Sequence, residues 1–347
     1  MIDWVTAIIP FEHEPLFGGS VVKIAPDGEI EWEAPCRVSV EGSHEASISV
    51  KSQGGDGRAL ASELYIHGNP SKYLQGHNIF GIDDLNLLVK DTFISLCSEL
   101  KLPIPEATMT AVEKGDYKLN RVDINHMYSL GNIANVKSWL RAAEYKSKTR
   151  HGRPSSKGGT LYWGKNSRRW AIKAYCKGEE IAGPKAHRLP ERFNSTPLAE
   201  FAQDKLRIEL VLRSKELDKL NLFEAHQWDD KTPRQLFNNY VKRIEMNEQM
   251  TLPNDVIHQL PHKLMSTYTI WKDGYNPREL MSKPTFYRHR RELLKHGIDI
   301  DLAVEKVDRS NVVPLVRVLE AQPVITPHWA YELGLVHAPP TKRVSNG

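Results

Sequence analysis

The chain has 347 residues, with 47 Lys or Arg against 43 Asp or Glu and a formal net charge of +4 at pH 7. That length holds one large domain or two smaller ones with a sizeable core, and 40% hydrophobic with 26% charged residues is the balance of a soluble globular chain. No run reaches the ~18 apolar residues of a membrane span, and three cysteines without metal-type spacing (Cys36, Cys97, Cys176) argue against a disulfide framework and fit a reducing cytoplasm.

The opening MIDWVTAIIPFEHE lacks the basic flank and cleavage site of a secretion signal and reads as a first strand at residues 4–9. Further strands are expected at Ser20–Ile24, 37–40, 46–50 and 63–67, bounded by Gly, Pro and Asp. Asp83 or Asp84 caps a helix whose apolar residues Leu85, Leu88, Phe93, Leu96 and Leu100 recur at helical spacing until Pro103 and Pro105. A strand at 121–127 and a helix at 133–144 follow, and residues 146–159, rich in Gly, Ser and Lys, read as a mobile basic loop. Strands Thr160–Trp163 and Trp170–Cys176 are joined by the turn 164–169, and another strand covers 206–213. Beyond residue 215 helical patterns dominate, at 215–220, 233–247, 253–271 and 284–296. The chain is therefore expected to be α+β: a strand-rich domain over 1–215, a mainly helical region over 216–338 with its boundary near 215–230, and a disordered tail over 339–347.

Net charge says little here, but its distribution says more. Residues 137–177 carry twelve Lys or Arg and one acid, Glu144, which predicts a strongly positive local field. In RVDI (121–124), period two puts Arg121 and Asp123 on one face and Val122 and Ile124 on the other. RIELVLR (207–213) repeats the design, with Arg207, Glu209 and Arg213 opposite Ile208, Leu210 and Leu212. Two such carboxylates meeting across a sheet would suit a hard divalent cation, Mg²⁺ or Mn²⁺; the alternative is a pair of ordinary Arg–carboxylate contacts. In WAIKAYCK (170–177) the same period aligns Lys173, Tyr175 and Lys177. Flanking ammonium groups favour a phenolate, which an isolated phenol with a pKa of ~10 does not form at neutral pH; the alternative is a strand tyrosine making cross-strand contacts. The hairpin 160–169, with Tyr162, Trp163, Lys165, Arg168 and Arg169, has rings to stack on unpaired bases and cations to hold a backbone, or else an ordinary aromatic pair. Lys146, Lys148, Arg150, Arg153 and Lys157 extend the basic surface.

Several absences narrow the chemistry. There is no Gly-x-x-x-x-Gly-Lys-Ser/Thr loop, no Gly-x-Ser-x-Gly elbow, no zinc-type Cys/His spacing and no His-x-His pair, so any metal rests mainly on carboxylates.

Taken in order, these segments resemble the gene II family of filamentous-phage replication initiators. The most specific matches are KYLQGHNIFG (72–81) and NVVPLVR (311–317), and the resemblance covers residues 63 to 320, with the first 60 matching loosely. It implies a nuclease domain with a central antiparallel sheet flanked by helices, and a rolling-circle nickase. The nucleophile falls on Tyr175 with Lys177 and Lys173 beside it, and the metal ligands on Asp123 and Glu209. His67 or Glu63 is the candidate third ligand and His77 a structural residue. The resemblance further implies a circular duplex carrying an origin as substrate, a single-stranded product, a host helicase, polymerase and single-strand-binding protein as partners, no membrane, and a bacterial cytoplasm. SKPTFYRHRR (282–291), with Arg288, Arg290 and Arg291, resembles the reading helix of a helix-turn-helix or is a basic surface helix packing through Phe286, Leu293 and Leu294. The rival functions are a non-catalytic origin-binding control protein of the same descent and a single-strand-binding protein.

Overall fold

The computed structural model describes residues 1–55, 60–183, 188–246, 260–296, 298–301, 318 and 321–337. Its frame is a nine-stranded antiparallel sheet. The strands are β1 (Ile2–His13), β4 (Val38–Glu41), β5 (Ser47–Gln53), β6 (Ala61–Gly68), β7 (Lys118–Ser129), β9 (Ser155–Lys157), β10 (Thr160–Trp163), β11 (Trp170–Cys176) and β12 (Lys205–Arg213), and they lie in the order β4-β5-β6-β1-β7-β12-β11-β10-β9. A separate hairpin pairs β2 (Ser20–Ile24) with β3 (Ile30–Pro35). The chain is α+β, as its pattern of strands followed by helices predicts.

One face of the sheet carries the main core. Ile208, Leu210 and Leu212 of β12, Val122 and Ile124 of β7, and Ile172 and Ala174 of β11 pack there. Helices α2 (Leu85–Glu99), α3 (Glu106–Lys114), α4 (Ile133–Lys146), α7 (Ser214–Leu220) and α8 (Thr232–Val241) supply Phe93, Val112, Trp139, Leu217 and Phe237 to the same core. Asp84, not Asp83, caps α2 by accepting from Leu87 N at 3.0 Å, while Asp83 meets the Met1 ammonium at 3.1 Å. The core continues through Tyr240, Val241 and Ile244, so α8 belongs with the sheet although it lies past the expected boundary.

Residues 146–159, expected as a mobile loop, are built into the fold. β8 (Ser147–Lys148) pairs with β13 (Glu245–Met246), β9 forms the edge of the large sheet, and Trp163 Nε1 donates to Ser147 Oγ at 3.0 Å. Helices His262–Lys272, Pro277–Leu280 and Lys283–Leu294 form their own cluster around Tyr268, Trp271, Phe286 and Leu293. Residues 253–259 of the expected helix, the 311–317 motif and the tail from 339 lie outside the described residues. Among the described residues no helix is long and apolar enough to cross a membrane.

A second cluster covers half of the opposite sheet face. There Met127 of β7 meets Ile79, Phe80 and Phe193, Ile181 of α5 (Lys177–Ala182), Leu198 and Ala202 of α6 (Leu198–Ala202), and Ala330 and Leu335. Its scaffold is the 72–81 motif. Helix α1 (Pro70–Gln75) is capped by Asn69, which accepts from Lys72 N, and ends on Gly76 at φ +87°, a left-handed turn that glycine enters without strain. Gln75 Nε2 then donates to the carbonyls of His77 (3.0 Å) and Phe80 (2.8 Å), and the ring of His77 lies edge-on to Phe80 and Phe193. Its Nδ1 accepts from Ile79 N at 3.3 Å, which requires that nitrogen unprotonated. Burial pushes the His77 pKa down to about 4, reinforced by Lys177 and Arg192 against a backbone hydrogen bond at Leu335.

This gives a pH dependence. A histidine near 6.5 when unfolded and about 4 when folded contributes stability that is complete above pH 6.5 and lost as pH falls towards 4, because the unfolded chain then binds more protons. The thermal midpoint is expected to be flat above pH 7 and to fall between pH 6.5 and 4. His77→Asn, whose side-chain oxygen can accept in place of Nδ1, should flatten part of that slope; an unchanged slope would assign it to other groups, such as His126, held near 3 by burial.

Candidate active site

Strands β7, β12 and β11 are neighbours, and their registers bring the chemistry-bearing residues together. Glu209 stands opposite Lys173 on one side and Asn125 on the other, Val211 opposite Asp123, and Arg207 opposite Tyr175. Directly opposed residues share a face, so the two acidic strands do meet as their alternation predicts. Asp123 and Glu209 are 1% and 3% exposed. Lys173 Nζ sits 2.8 Å from Glu209 Oε2 and 3.6 Å from Asp123 Oδ2, and Arg121 grips Asp123 with two hydrogen bonds of 2.7 and 2.6 Å. Tyr175, 9% exposed, donates its hydroxyl to Glu209 Oε1 at 2.5 Å.

Electrostatics follow from this packing. Burial alone would raise Glu209, yet Lys173, Arg207 and the Tyr175 hydrogen bond hold it down at about 2. Burial pushes Asp123 up against the pull of Arg121 and Lys173. Burial of Lys173 opposes its charge, but Glu209 and Asp123 outweigh it and raise the pKa. Burial pushes the Tyr175 phenol well above its ordinary value, with Glu209 adding to the rise and Arg207 opposing it. At neutral pH the site holds a neutral phenol whose proton points at an ionised carboxylate.

Lys177 is not where period two places it. β11 ends at Cys176, Lys177 opens helix α5, and its fully buried ammonium bonds to Asn78 Oδ1 (2.8 Å) and to Glu180. The cation opposite Tyr175 is instead Arg207, 0% exposed. Its Nη2 donates to Asp3 Oδ1 at 2.9 Å, its Nη1 to the Asn78 carbonyl, and its Nε lies 3.4 Å from Glu209 Oε1. Asp3 also accepts from Asn69 (2.7 Å) and Asn78 (3.0 Å). Asp3 and Asn78 went unnoticed in the sequence. Asn78 is marked in the sequence only by its place in the 72–81 motif, and nothing there marks Asp3.

His67 does not join the carboxylates. Strand β1 separates β6 from β7, and the His67 Nδ1 is paired with Thr6 Oγ1 at 2.8 Å. Glu63 lies farther along β6, opposite Pro10. Among the described residues no three His, Cys, Asp or Glu side chains converge. The donor set is therefore Glu209 Oε2 and Asp123 Oδ2, both turned to the point where Lys173 places its ammonium. Two carboxylates facing one positive centre are hard oxygen donors of the kind that could hold a Mg²⁺ or Mn²⁺.

The basic surface divides in two. Lys148 pairs with Asp299 (2.7 Å) and Glu245, Arg290 with Asp299 (2.6 Å), Arg153 with Asp301 (3.9 Å) and Arg169 with Glu216 (2.8 Å). Arg150 lies over Trp170 and Lys165 over Tyr162. Lys157, Arg168, Arg288 and Arg291 are exposed, and Lys146 is half-buried at the end of α4.

Comparison with known proteins identifies the family. The profile for the N-terminal part of the phage replication-associated protein encoded by gene II matches residues 1–231, and the profile for its C-terminal part matches 252–336. The match thus begins at residue 1 and includes the first 60 residues, expected to agree only loosely. The replication-associated gene II protein of Enterobacteria phage I2-2 is 49% identical over 328 residues, 94% of this chain and 95% of that one. The corresponding protein of Salmonella phage IKe is 23% identical over 332 residues, 80% of this chain and 76% of its own. A solved rolling circle replication initiator protein from Geobacillus stearothermophilus aligns at a TM-score of 0.36 and 12% identity, over 74% of this chain and 89% of that one. The chain belongs to the gene II family of phage replication-associated proteins.

Proposed function

We propose that this protein initiates rolling-circle replication by nicking one strand of a circular duplex phage DNA at its origin, with Tyr175 as nucleophile. The observation that carries this reading is the hydrogen bond from the Tyr175 hydroxyl to Glu209 Oε1, made beside a second carboxylate and a lysine in a chain of the gene II family.

The two oxygens of Glu209 serve different tasks. Oε1 receives the phenolic proton as the tyrosine oxygen attacks the scissile phosphorus. The bond from phosphorus to the 3′ oxygen breaks, the 3′ hydroxyl leaves after taking a proton from solvent, and a 5′-phosphotyrosine remains. Arg207, fixed by Asp3 and Asn78, stabilises the charge that develops beside the ring. Lys173, at the half-open mouth, binds the phosphate being attacked. Oε2 and Asp123 would hold a Mg²⁺ or Mn²⁺, which supplies Lewis-acid polarisation of a non-bridging phosphate oxygen. One phosphodiester is exchanged for another, so no ATP is required and the reverse step reseals the strand.

Incubation with supercoiled origin DNA and Mg²⁺ should give relaxed circles and a covalent protein–DNA adduct. Tyr175→Phe should abolish the adduct; an equal adduct from that variant would remove Tyr175 from the chemistry, and no adduct from the parent chain would favour a non-catalytic control protein. Glu209→Gln and Asp123→Asn should each lower the nicking rate ~100-fold or more, in keeping with the ~10²–10⁴-fold reach of general base catalysis. Unchanged nicking by Asp123→Asn would take it out of the cation site.

Exposed and ion-paired cations should differ in their salt dependence. Neutralising Lys157 and Arg168 together is expected to reduce the slope of log affinity against log salt by about 1.4–1.8, at ~0.7–0.9 per phosphate contact. Neutralising Lys148 should leave that slope unchanged, because its charge already serves Asp299. Equal slopes for all three would contradict the division.

A further inference from the structure

The half of the active-site face that the second cluster leaves open carries a line of rings and cations that the reaction does not use. Outward from Asp123, the Arg121 guanidinium lies over the Trp4 ring at 5.3 Å. Trp4 meets His67 edge-on at 5.0 Å, His67 lies nearly parallel to Tyr65 at 6.0 Å, and Arg37 caps Tyr65 at 5.0 Å. Trp4, Tyr65, His67 and Arg121 are half-buried and Arg37 is exposed, and the reverse side of the same strands is core, with Val5, Ala7 and Ile66. These rings therefore do not fill the interior; they form the outer surface of β1 and β6. On the far side of the carboxylates the series continues, with Tyr162 opposite Lys173 on β10 and Lys165 over its ring at 5.1 Å.

Ring faces alternating with guanidinium and ammonium groups match one chemistry: bases out of their stack, joined by phosphates. The charge agrees, since Arg37, Arg121 and Lys51, which stands opposite Tyr65, are cationic. A duplex keeps its base faces covered and could use only the cations. Five inter-strand steps separate β6 from β10, about 24 Å at ~4.8 Å each, enough for several nucleotides. Burial, then Arg37 and Arg121, lower the His67 pKa to about 4, so His67 meets DNA as a neutral ring.

We propose that an unpaired DNA strand lies across this sheet face, with bases stacked on Tyr65, His67 and Trp4 on one side of the carboxylates and on Tyr162 on the other, and with the scissile phosphate between them. The position of that phosphate rests on the nicking reading; the binding track does not. His67 on this account is part of a stacking platform and no metal ligand.

The test is binding of a fluorescein-labelled single-stranded origin oligonucleotide, followed by anisotropy without metal in the full-length Tyr175→Phe protein, so that no chemistry contributes. Tyr65→Ala is expected to weaken binding about 5- to 140-fold, the range for one base–aromatic stack. Tyr65→Phe should restore it, and affinity for the same sequence as a duplex should change less than about twofold. His67→Ala should raise the KM for single strands in a Tyr175 background while the rate at saturating DNA falls less than about twofold. A metal ligand would instead cut that rate and shift the metal requirement. Single-strand binding by Tyr65→Ala within twofold of its parent, at an unchanged thermal midpoint, overturns the proposal. Should Tyr65→Ala fail to fold, photocrosslinking of a 5-iodouracil-substituted strand to the unsubstituted platform decides: adducts on Trp4, Tyr65 or His67 support the track, and their absence overturns it. Loss of the Tyr175 adduct with these results intact would sink the nicking reading alone.

Discussion

Two carboxylates share a nearly water-free patch where β7 lies against β12, and this is the constraint that the surrounding structure answers. Desolvating an ionised carboxylate costs several kcal/mol unless cations and hydrogen bonds compensate it, and removing one member of such a set typically costs ~3–5 kcal/mol. Asp123 and Glu209 are compensated by Arg121, Lys173 and Arg207, which come from the same three strands. Arg207 is itself buried, so it needs Asp3 from the start of β1 and the Asn78 carbonyl from the 72–81 motif. Asp3 in turn needs Asn69, which caps the helix that launches that motif. The chain of obligations runs from the carboxylate pair to the first residues of the protein, so a lesion at Asp3 or Asn78 would be felt at Glu209 without touching it.

What was legible in the sequence was whatever depends on period. Alternation in RVDI, RIELVLR and WAIKAYC fixes which side chains leave the core, and the structure keeps those faces. What escaped depends on contacts between distant segments. Arg207 stood out only as a flank of Glu209, because its partner Asp3 lies 204 residues away. Lys177 failed because a two-residue period holds only while the strand lasts, and β11 stops one residue earlier. Composition alone makes residues 146–159 a mobile basic loop, since nothing in those residues announces β13 or Asp299, about a hundred to 150 residues downstream. His67 is a candidate ligand in the sequence because it lies on the strand that leads into the 72–81 motif; the strand order, which puts β1 between that strand and β7, keeps it away from the carboxylates.

Positive charge in this chain has two uses, and local composition cannot tell them apart. Asp299 and Asp301, both buried, gather Lys148, Arg153, Arg278 and Arg290. These contacts tie the β8–β9 region to the apolar cluster of residues 260–300, so these cations are committed to joining parts of the fold. Charge available to phosphate lies on the exposed positions at the sheet edge and on the outer side of Lys283–Leu294. A count of twelve Lys or Arg between 137 and 177 therefore overstates the field that DNA would meet.

The site face is asymmetric, and the asymmetry has a chemical consequence. The second cluster and α5 close one half, which buries Tyr175 and Lys177; the other half carries Arg121 and Lys173, at 30% and 25% side-chain exposure, and the rings beyond them. Among the described residues the more exposed side of the site is the one where Lys173 and Arg121 stand, so on the nicking mechanism proposed above a phosphate approaches Tyr175 from there. On that path it meets the ammonium that bridges the two carboxylates, and drawing Lys173 towards the phosphate relieves Glu209 Oε2 and Asp123 of their counter-ion. Glu209 Oε1 keeps its place, because Arg207 and the phenol hold it from the closed side. On the proposed mechanism, substrate entry and exposure of the carboxylate pair are then one event, and the closed half keeps Tyr175 aligned while the open half rearranges.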